Sequence, residues 1–477
     1  MKIKNCYGVT LHMFKGFDYE KFWVLYQQKT EGLARTSTES IVKTKCKYLQ
    51  DCIIRLSVTN DEGFSLHSQV LKSVVGREYR QMLDCMIEMH LIKYKNCKAQ
   101  RYKVGEYATQ YAIGDKVEFE TRHLINRKIK EYKDKTRNLL KQMKEDTTYR
   151  YMDSLYGKGF RKKYLSSLRK ITIENSEGFD VYVKKVISEN PNKEPYYTYI
   201  KEELLNRDKD INSIDYYSGA GRIYHILTNT DRNIKKYLNI EVMLDAANSQ
   251  PLLFCYMIFR FYDINEEASY HIISSLKDIK EHPNTPLYNV GDNLRNILIQ
   301  SNIEKQDVEK MSNDVLLYIF LTVKGLLWDV ISMNKRLPRE KVKTTMFQQV
   351  FYSNSGYAYR WKEWAVEFET MFPNVYSIIG RWKEKLRPKE VEEYISKYNI
   401  RPNKPTAALS IAMQNLESRI ISTILKRMYE RKWYAVNLHD CIIVPKMGDS
   451  TESPSIDQLK HLMDDVYKQF GLAATFR

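Results

Sequence analysis

The sequence feature that most constrains the fold is a short apolar run near the C-terminus, residues 436–444, VNLHDCIIV. Its β-branched and other apolar residues predict two short strands, with His439 and Asp440 at the tight turn between them. Such a hairpin would present the Asp440 carboxylate at its tip, above apolar residues anchored in a sheet. Aspartate is also common in ordinary turns, and the hairpin alone leaves that alternative open.

A second run, residues 241–251 with the sequence EVMLDAANSQP, is the expected partner of the hairpin. Its apolar start predicts a strand that ends at Asp245. Two carboxylates a few ångströms apart repel each other unless cations lie between them, so Asp245 and Asp440 together indicate a divalent metal site. Paired Mg²⁺ ions activate an attacking hydroxyl and stabilise a leaving phosphate in nucleotidyl transfer. We therefore expect two Mg²⁺ ions at these aspartates, with Mn²⁺ as an alternative metal.

A third run places Arg339, Lys343, Phe347 and Phe351 at four-residue intervals. On an α-helix this spacing sets them along one slowly winding face. Two cations followed by two aromatic rings suit a triphosphate with its base stacked beyond it. A solvated cationic face followed by a pair of core phenylalanines is the other interpretation of the same spacing.

Together, in this order, the three runs resemble motifs A, B and C of family A DNA polymerases. The matching segments are Asp245-Ala-Ala-Asn248-Ser-Gln250 for motif A, residues 339–351 for motif B and His439-Asp440 for motif C. Flanking stretches of the family also have counterparts: Gly221-Arg222-Ile223, Gln414 in a predicted helix, residues 368–375 (FETMFPNV) and the closing residues 471–477 (GLAATFR). The resemblance covers roughly residues 219–477.

The resemblance implies roles for individual residues. Asp245 and Asp440 would bind the two metal ions, and Lys343 would act as general acid toward the leaving pyrophosphate. The nucleotide would be bound by Arg339, Lys343, Phe347, Phe351, Gln250 and Asn248. The primer and template would contact Arg222, Gln414 and His439.

Three positions depart from the family pattern. Gln250 stands where the family has a glutamate that selects against a ribose 2′-hydroxyl, so the charge is lost while the size is kept. Phe351-Tyr352 replaces a tyrosine-glycine pair, and Cys441 replaces the usual glutamate after the motif C aspartate. The catalytic residue types are thus kept, whereas selection of the sugar and base is expected to differ.

Residues 63–115 predict a different kind of module. A helix capped by Ser65 and ended by Gly76, a second helix from Glu78 to His90 and two strands around a polar turn resemble a winged helix. Five cations crowd this predicted wing and would bind DNA phosphates: Lys93, Lys95, Lys98, Arg101 and Lys103. A structural or protein-binding winged helix is the alternative interpretation.

These patterns predict an α+β chain with a right-hand polymerase core, in which an antiparallel palm sheet carries helical fingers and thumb. The predicted domains are an N-terminal region with the winged helix (1–118), a thumb-like helical region and connector (119–218), palm (219–262), fingers (263–400) and palm again (401–477). The highly charged residues 118–170 are helical in pattern, as expected either for a duplex-binding thumb or for a solvated pair of surface helices.

Composition supports a nucleic-acid partner. The net charge is +17, from 76 Lys and Arg against 59 Asp and Glu, which suits a protein that follows a phosphate backbone, although it also solubilises a surface. Seven cysteines without a C-x-x-C pair predict a reduced protein without a zinc site. Residues 315–331, the most apolar run, contain Lys324 and Asp329 and predict a buried helix. We expect a cytoplasmic protein, in the host cytoplasm if a phage or plasmid encodes it, with no membrane partner.

The predicted function is template-directed DNA polymerisation from dNTPs on a DNA primer–template, with RNA as a further template or primer. A proofreading exonuclease is not expected, because Asp18-Tyr-Glu20 lacks the further acidic motifs of such a site. One alternative is a single-subunit RNA polymerase or primase-like enzyme, since Gln250 weakens the argument for deoxyribose. The other is a non-catalytic DNA-binding initiator with a polymerase fold, against which the retained aspartates argue.

Overall fold

A computed structural model of the chain is α+β, with many helices and several small antiparallel sheets, as predicted. The chain divides into two compact units. The first comprises residues 1–151, 171–214 and 225–239, and the second comprises residues 152–170, 215–224 and 240–477. The structure describes residues 8–32, 37–58, 64–95, 109–144, 152, 156–205, 214–217, 220–279, 287–301, 303–352, 363–384, 389–398, 407–447 and 453–476.

The strands and helices are numbered along the chain. The strands are β1 (Gly8–Phe14), β2 (Phe64–Ser65), β3 (Ile92–Tyr94), β4 (Gln110–Ile113), β5 (Phe119–Ile125), β6 (Ile214–Tyr217), β7 (Arg222–His225), β8 (Ile240–Asp245), β9 (Val436–Leu438) and β10 (Cys441–Pro445). The helices are α1 (Tyr19–Lys29), α2 (Glu39–Val58), α3 (Ser68–Val74), α4 (Tyr79–Glu88), α5 (Arg127–Lys144), α6 (Phe160–Lys170), α7 (Ser176–Glu189), α8 (Glu194–Leu205), α9 (Ser249–Phe261), α10 (Glu266–Asp278), α11 (Leu287–Gln300), α12 (Lys305–Glu309), α13 (Asn313–Val323), α14 (Leu327–Lys335), α15 (Arg339–Met346), α16 (Glu363–Met371), α17 (Pro373–Lys383), α18 (Lys389–Lys397), α19 (Ala408–Glu430) and α20 (Ile456–Gln469). A π-helix (Phe347–Phe351) follows α15, and short 3₁₀ helices lie at Pro191–Lys193, Ile226–Asn229 and Arg232–Tyr237. The mostly helical character predicted for residues 263–400 is confirmed over the residues described there.

In the first unit, β1 and β5 form an antiparallel pair, with Gly8 opposite Ile125 and Phe14 opposite Phe119. The charge pattern predicted helices from residue 118 onward, and this prediction is wrong for β5. The aromatic and branched residues of β5 fit a strand, and pairing with β1 satisfies its backbone hydrogen bonds. Helices α2 and α5 pack against β1.

A second layer of the first unit runs β2, α3, α4, β3 and β4; the order from α3 to β4 is the one predicted for residues 63–115, whereas β2 was not predicted. Its sheet is antiparallel, with β4 between β2 and β3. Ser65 is a strand residue opposite Gln110, so α3 begins at Ser68 and the predicted cap at Ser65 is wrong. Gly76 has a φ of +97°, a backbone conformation that glycine adopts without steric cost, and it separates α3 from α4 as predicted.

A charged cluster is buried in the first unit around Asp51 of α2. The Asp51 carboxylate accepts hydrogen bonds from the backbone N–H of His12 at 2.9 Å and from Arg55 Nε at 3.1 Å, and it lies 3.0 Å from Lys133 Nζ. Burial raises the pKa of Asp51, but the charges of Arg55 and Lys133 outweigh it, so the pKa is lowered overall. The resulting stabilisation is present at neutral pH and is lost as the pH falls through the lowered pKa.

We expect Asp51→Ala to reduce the free energy of unfolding of the first unit by about 3–5 kcal/mol, because two largely buried cations then lose their carboxylate. Urea denaturation at neutral pH, followed by circular dichroism, measures the change. Asp134→Ala, at an exposed position of α5, is the matched control and should stay within about 0.5 kcal/mol of the wild type. Equal effects of the two substitutions would contradict a structural role for the cluster.

The second unit contains a three-stranded antiparallel sheet in the order β8–β10–β9. Ala246, just after β8, forms a bridge with Phe476, so the closing residues of the chain run beside the end of β8. Helix α19 is buried along most of its length and packs against α9, α17, α20 and β9. This packing brings the long helix to the same end of the unit as the sheet.

The apolar run 315–331, predicted as one buried helix, forms two helices instead. Gly325 has a φ of +77° between α13 and α14, which ends the first helix, and the two axes differ by 106°. Most side chains of α13 are buried, as expected for a core helix. Within the part of the chain that the structure describes, no single helix has the length and apolar composition to cross a membrane, and only this bent pair meets both criteria jointly.

Candidate active site

The hairpin predicted around Asp440 is confirmed in the second unit. β9 and β10 pair directly, with Leu438 opposite Cys441, so His439 and Asp440 alone form the turn. His439 has a φ of +56°, the left-handed conformation that a two-residue hairpin turn requires. Every residue of both strands is buried, whereas His439 is exposed and Asp440 is half-buried. The buried strands therefore hold an accessible carboxylate at a fixed position.

Asp245 lies beside this turn. It is the last residue of β8, and the register of β8 with β10 sets Asp245 opposite Cys441, the residue after Asp440. Val242 and Leu244 of β8 are buried and anchor the strand, while Asp245 is half-buried at its end. The predicted juxtaposition of the two aspartates is thus present at one edge of the sheet.

A third carboxylate, which the sequence analysis missed, belongs to Glu417 in the middle of α19. Its side chain is only 4% exposed. One carboxylate oxygen accepts from Arg222 Nη2 at 2.5 Å, and the other accepts from Gln250 Nε2 at 2.5 Å. Burial raises the pKa of Glu417 to about 7, with a further increase from the Asp440 charge and a partial offset from Arg222. The sequence signal for this residue is a glutamate among the apolar residues of a long helix. That pattern does not reveal which residues bind its carboxylate.

Arg222 reaches Glu417 from the start of β7. The preceding residue, Gly221, has a φ of +70°, and its carbonyl oxygen accepts hydrogen bonds from the Tyr156 hydroxyl at 2.8 Å and from Ser418. The positive φ favours glycine at this position, and a Cβ atom there would lie 3.3 Å from Ser418 Oγ, a tight contact with α19. The Gly-Arg pair therefore fixes β7 against the helix that carries Glu417.

The helix carrying motif B is not α-helical throughout. After α15 it continues as the π-helix, in which the backbone N–H of Tyr352 donates to the carbonyl oxygen of Phe347 at 2.8 Å. Phe351 is fully buried against Phe254 and Phe368, with ring centroids 5.5 and 5.8 Å away. The rings of Phe347 and Phe351 remain in contact, with centroids 5.7 Å apart, as the predicted common face requires, although Phe351 is fully buried in the core.

Tyr352, which follows the π turn, contacts Phe347 alongside Phe351. Its ring stacks on Phe347 with centroids 5.4 Å apart, and its hydroxyl donates to Gln250 Oε1. Burial raises the pKa of the Tyr352 hydroxyl, with smaller contributions from the Glu417 and Asp440 charges. Arg222, Glu417, Gln250 and Tyr352 consequently form one hydrogen-bonded chain that includes the motif A glutamine and ends at motif B.

The remaining predicted residues of the second unit occupy varied positions. Arg339 Nε lies 3.1 Å from Asp329 Oδ1, and Lys343 is half-buried one turn further along α15. Asn248 has a φ of +52° at the start of α9 and donates to the Thr322 carbonyl at 3.3 Å, a contact within the protein. Gln414 is half-buried one turn before Glu417, and the ring of His439 lies 6.4 Å from that of Tyr224.

Tyr467 of α20 is a second residue that the sequence analysis missed. Its side chain is buried, and burial raises the pKa of its hydroxyl, followed in size by the charges of Asp440, Glu417 and Asp245. All three carboxylates therefore lie close enough to act on one hydroxyl. No sequence signal identifies this residue, because α20 is an ordinary amphipathic helix by its pattern.

The donor set was compared with the needs of a divalent metal. Within the described ranges, His, Cys, Asp and Glu side chains do not converge in threes at a metal-binding distance. Mg²⁺ usually takes one or two carboxylates and completes its shell with water and substrate phosphates, so a pair of aspartates is a sufficient protein contribution. Asp245 and Asp440 fit that requirement in residue type and in register.

The predicted wing cations lie in the first unit. Lys93 and Lys95 are exposed at the end of β3, and Lys93 Nζ lies 2.6 Å from Asp115 Oδ1. Lys98, Arg101 and Lys103 lie outside the described residues.

The contact between Glu417 and Gln250 leads to a pH-dependent prediction. The folded-state pKa of Glu417 is raised to about 7, so its contribution to stability is present at acidic pH and is lost as the pH rises through that value. We expect Gln250→Glu to reduce the free energy of unfolding by about 2 kcal/mol near pH 8, because two adjacent carboxylates cannot both ionise without cost. Near pH 5 the loss should be smaller, since a protonated Glu417 can donate to Glu at position 250.

The exchanged double variant, Gln250→Glu with Glu417→Gln, restores one amide and one carboxylate and should recover most of the lost stability. Chemical denaturation in the presence of EDTA measures all variants without bound metal. Glu430→Gln, at an exposed position of the same helix, is the control for loss of a glutamate from α19. Additive effects of the two single substitutions would contradict the direct contact.

A comparison with protein-family models finds no model that matches this chain, and a search of curated proteins finds no match. The argument for function therefore depends on the geometry of the site and on its motif resemblance.

Proposed function

We propose that this chain is a template-directed DNA polymerase that adds dNTPs to a primer 3′ end by two-metal-ion nucleotidyl transfer. The observation that carries the proposal is the register of β8 with β10, which sets Asp245 beside the turn that holds Asp440. These two residues come from the motifs that resemble A and C, which lie almost two hundred residues apart in the chain. Aspartates that only form turns would not need to lie together at one edge of a sheet. The strands β8, β10 and β9 fit the role of a palm sheet.

Asp245 and Asp440 would hold Mg²⁺, or Mn²⁺ as an alternative. The bound ions would activate the primer 3′-hydroxyl and stabilise the leaving pyrophosphate. The protein's own contribution would be rigidity, since Asp440 lies between two fully buried strands and Asp245 ends a strand anchored by the buried Val242 and Leu244. His439, exposed next to Asp440, would contact the primer end, and Gln414 and Arg222 are the proposed contacts to the primer and template.

The proposed nucleotide site extends from the aspartates along motif B. Arg339 and Lys343 lie one turn apart on α15 and would bind the triphosphate, with Lys343 as the general acid to the pyrophosphate. Phe347 would stack with the base. The hydrogen bond from the Tyr352 hydroxyl to Gln250 links this helix to the end of the motif A strand. This link supports Gln250 as the residue that limits the space for a ribose 2′-hydroxyl.

We also propose that the layer from β2 to β4 is a winged helix that binds duplex DNA. The support is its element order, preceded by α2, and the antiparallel arrangement with β4 in the centre of the sheet. Lys93 and Lys95 are exposed at the end of β3, where the predicted wing begins. Fingers and thumb remain proposed roles for the helices of residues 263–400 and 119–218.

Asp440→Asn should abolish primer extension. Removal of one metal-binding charge should slow incorporation by about 10³-fold or more, because the ions contribute several kcal/mol to the transition state. The assay is single-nucleotide incorporation with dNTPs or NTPs on DNA and RNA templates, and binding of the primer–template should change little. Asp457→Asn, exposed in the first turn of α20, is the matched control.

Incorporation by Asp440→Asn within tenfold of the wild type would exclude the metal role. A wild-type protein that extends primers with NTPs but not with dNTPs would identify an RNA polymerase or a primase-like enzyme. No incorporation under any condition, combined with DNA binding, would favour a non-catalytic initiator.

Replacement of the two exposed lysines by Lys93→Gln and Lys95→Gln should weaken duplex DNA binding by the full chain. The slope of log Kd against log salt should decrease by about one to two, because each lost phosphate contact removes roughly one released counterion. Lys21→Gln with Lys141→Gln removes the same charge from exposed positions of α1 and α5 and is the control. Equal slopes for the two double variants would contradict DNA binding by the wing.

A further inference from the structure

The π-helix decides which aromatic residue of motif B reaches the site. One extra residue in a turn rotates everything that follows by roughly 100° relative to a continued α-helix. In the continued α-helix, Phe351 would lie above Phe347 and Tyr352 would turn away from it. In the structure Phe351 contacts both Phe347 and Phe254 in the core, and Tyr352 also stacks on Phe347 and donates to Gln250. The register of this turn therefore controls the link to Gln250.

A buried cation contacts the π-helix from a neighbouring helix. Lys383 ends α17, its side chain is 5% exposed, and its Nζ atom donates to the carbonyl oxygen of Val350 at 2.5 Å. Val350 lies within the π turn, next to the residue at which the register changes. Burial of an ammonium group carries a large desolvation cost, and burial lowers the pKa of Lys383 to about 7. A methionine would fill similar space without that cost, so the hydrogen bond is what the lysine adds.

We propose that Lys383 is a positioning residue that holds the π turn in register through Val350 and thereby fixes Tyr352 against Gln250. The structural role of Lys383 does not depend on the proposed polymerase function. Its consequence does rest on that function, namely that Lys383 affects the choice between deoxyribonucleotides and ribonucleotides. The hydrogen bond of Lys383 is made to Val350 of the turn, so Lys383 acts on Gln250 through the turn. A packing residue would stabilise the unit without changing the position of Tyr352.

Hydrogen exchange followed by mass spectrometry tests the register without any activity. Lys383→Met should accelerate exchange in peptides covering residues 347–352 by about tenfold, because the Tyr352 N–H bond to Phe347 opens more often. Arg381→Met removes an exposed cation from the same helix and should leave these peptides unchanged. Unchanged exchange in Lys383→Met would overturn the proposal. If Lys383→Met does not fold, Lys383→Gln, which keeps a donor on a shorter side chain, replaces it and should show a smaller acceleration.

Sugar selection tests the consequence. The ratio of kcat/KM for dATP to that for ATP should fall about tenfold in Lys383→Met and by a similar factor in Tyr352→Phe, which removes the hydroxyl bound to Gln250. If Lys383 acts through Tyr352, the double variant should be no worse than either single variant. Multiplied effects, or an unchanged ratio in Lys383→Met, would overturn the role in selection. A wild type that incorporates no nucleotide would refute the proposed function and leave the exchange experiment to decide the role of Lys383.

Discussion

The arrangement of the site depends on the Glu417 carboxylate, which is buried in α19 between Arg222 and Gln250. A buried carboxyl group needs hydrogen-bond partners in either protonation state, so β7, the segment after β8 that carries Gln250, and α19 must approach one another. Gly221 permits that approach, since it adopts a positive φ and leaves room for Ser418, which would lie in tight contact with a Cβ atom there. The two aspartates at the sheet edge lie next to this contact, and the Asp440 charge contributes to the raised pKa of Glu417.

Two departures from the family A pattern have a joint physical explanation in this network. Glu417 needs a donor at position 250, and an amide supplies one where a carboxylate would repel it. The same amide offers an oxygen to the Tyr352 hydroxyl. Tyr352 follows directly after the π turn, whose geometry brings its hydroxyl to Gln250. Gln250 and Tyr352 thus satisfy one another's hydrogen bonding.

The first unit obtains its stability differently, through an apolar core and the charged cluster around Asp51. That cluster pairs two cations with one buried carboxylate, so a fraction of the +17 net charge is internal and does not face a partner. Other cations of this unit are exposed, among them Lys93 and Lys95 near the end of β3. Net charge alone cannot make this distinction, because it counts buried and exposed cations equally.

The sequence by itself determined the local elements and the candidate metal pair. The hairpin at Asp440, the strand ending at Asp245 and the mostly helical segment between them follow from short-range apolar patterns, and all three are present. Short-range patterns predicted the wrong element in two places. Pairing with β1 makes β5 a strand, and Gly325 divides the run 315–331 into two helices.

Only the tertiary structure decided which side chains complete the site. Glu417 and Tyr467 come from helices whose patterns resemble ordinary core helices, and their roles depend on what packs against them. The approach of Tyr352 to Phe347 and Gln250 depends on a π turn, in which Phe351 packs in the core and Val350 accepts a hydrogen bond from Lys383 of another helix. Helical periodicity assumes a constant number of residues per turn, so it cannot predict a change of register that distant residues stabilise.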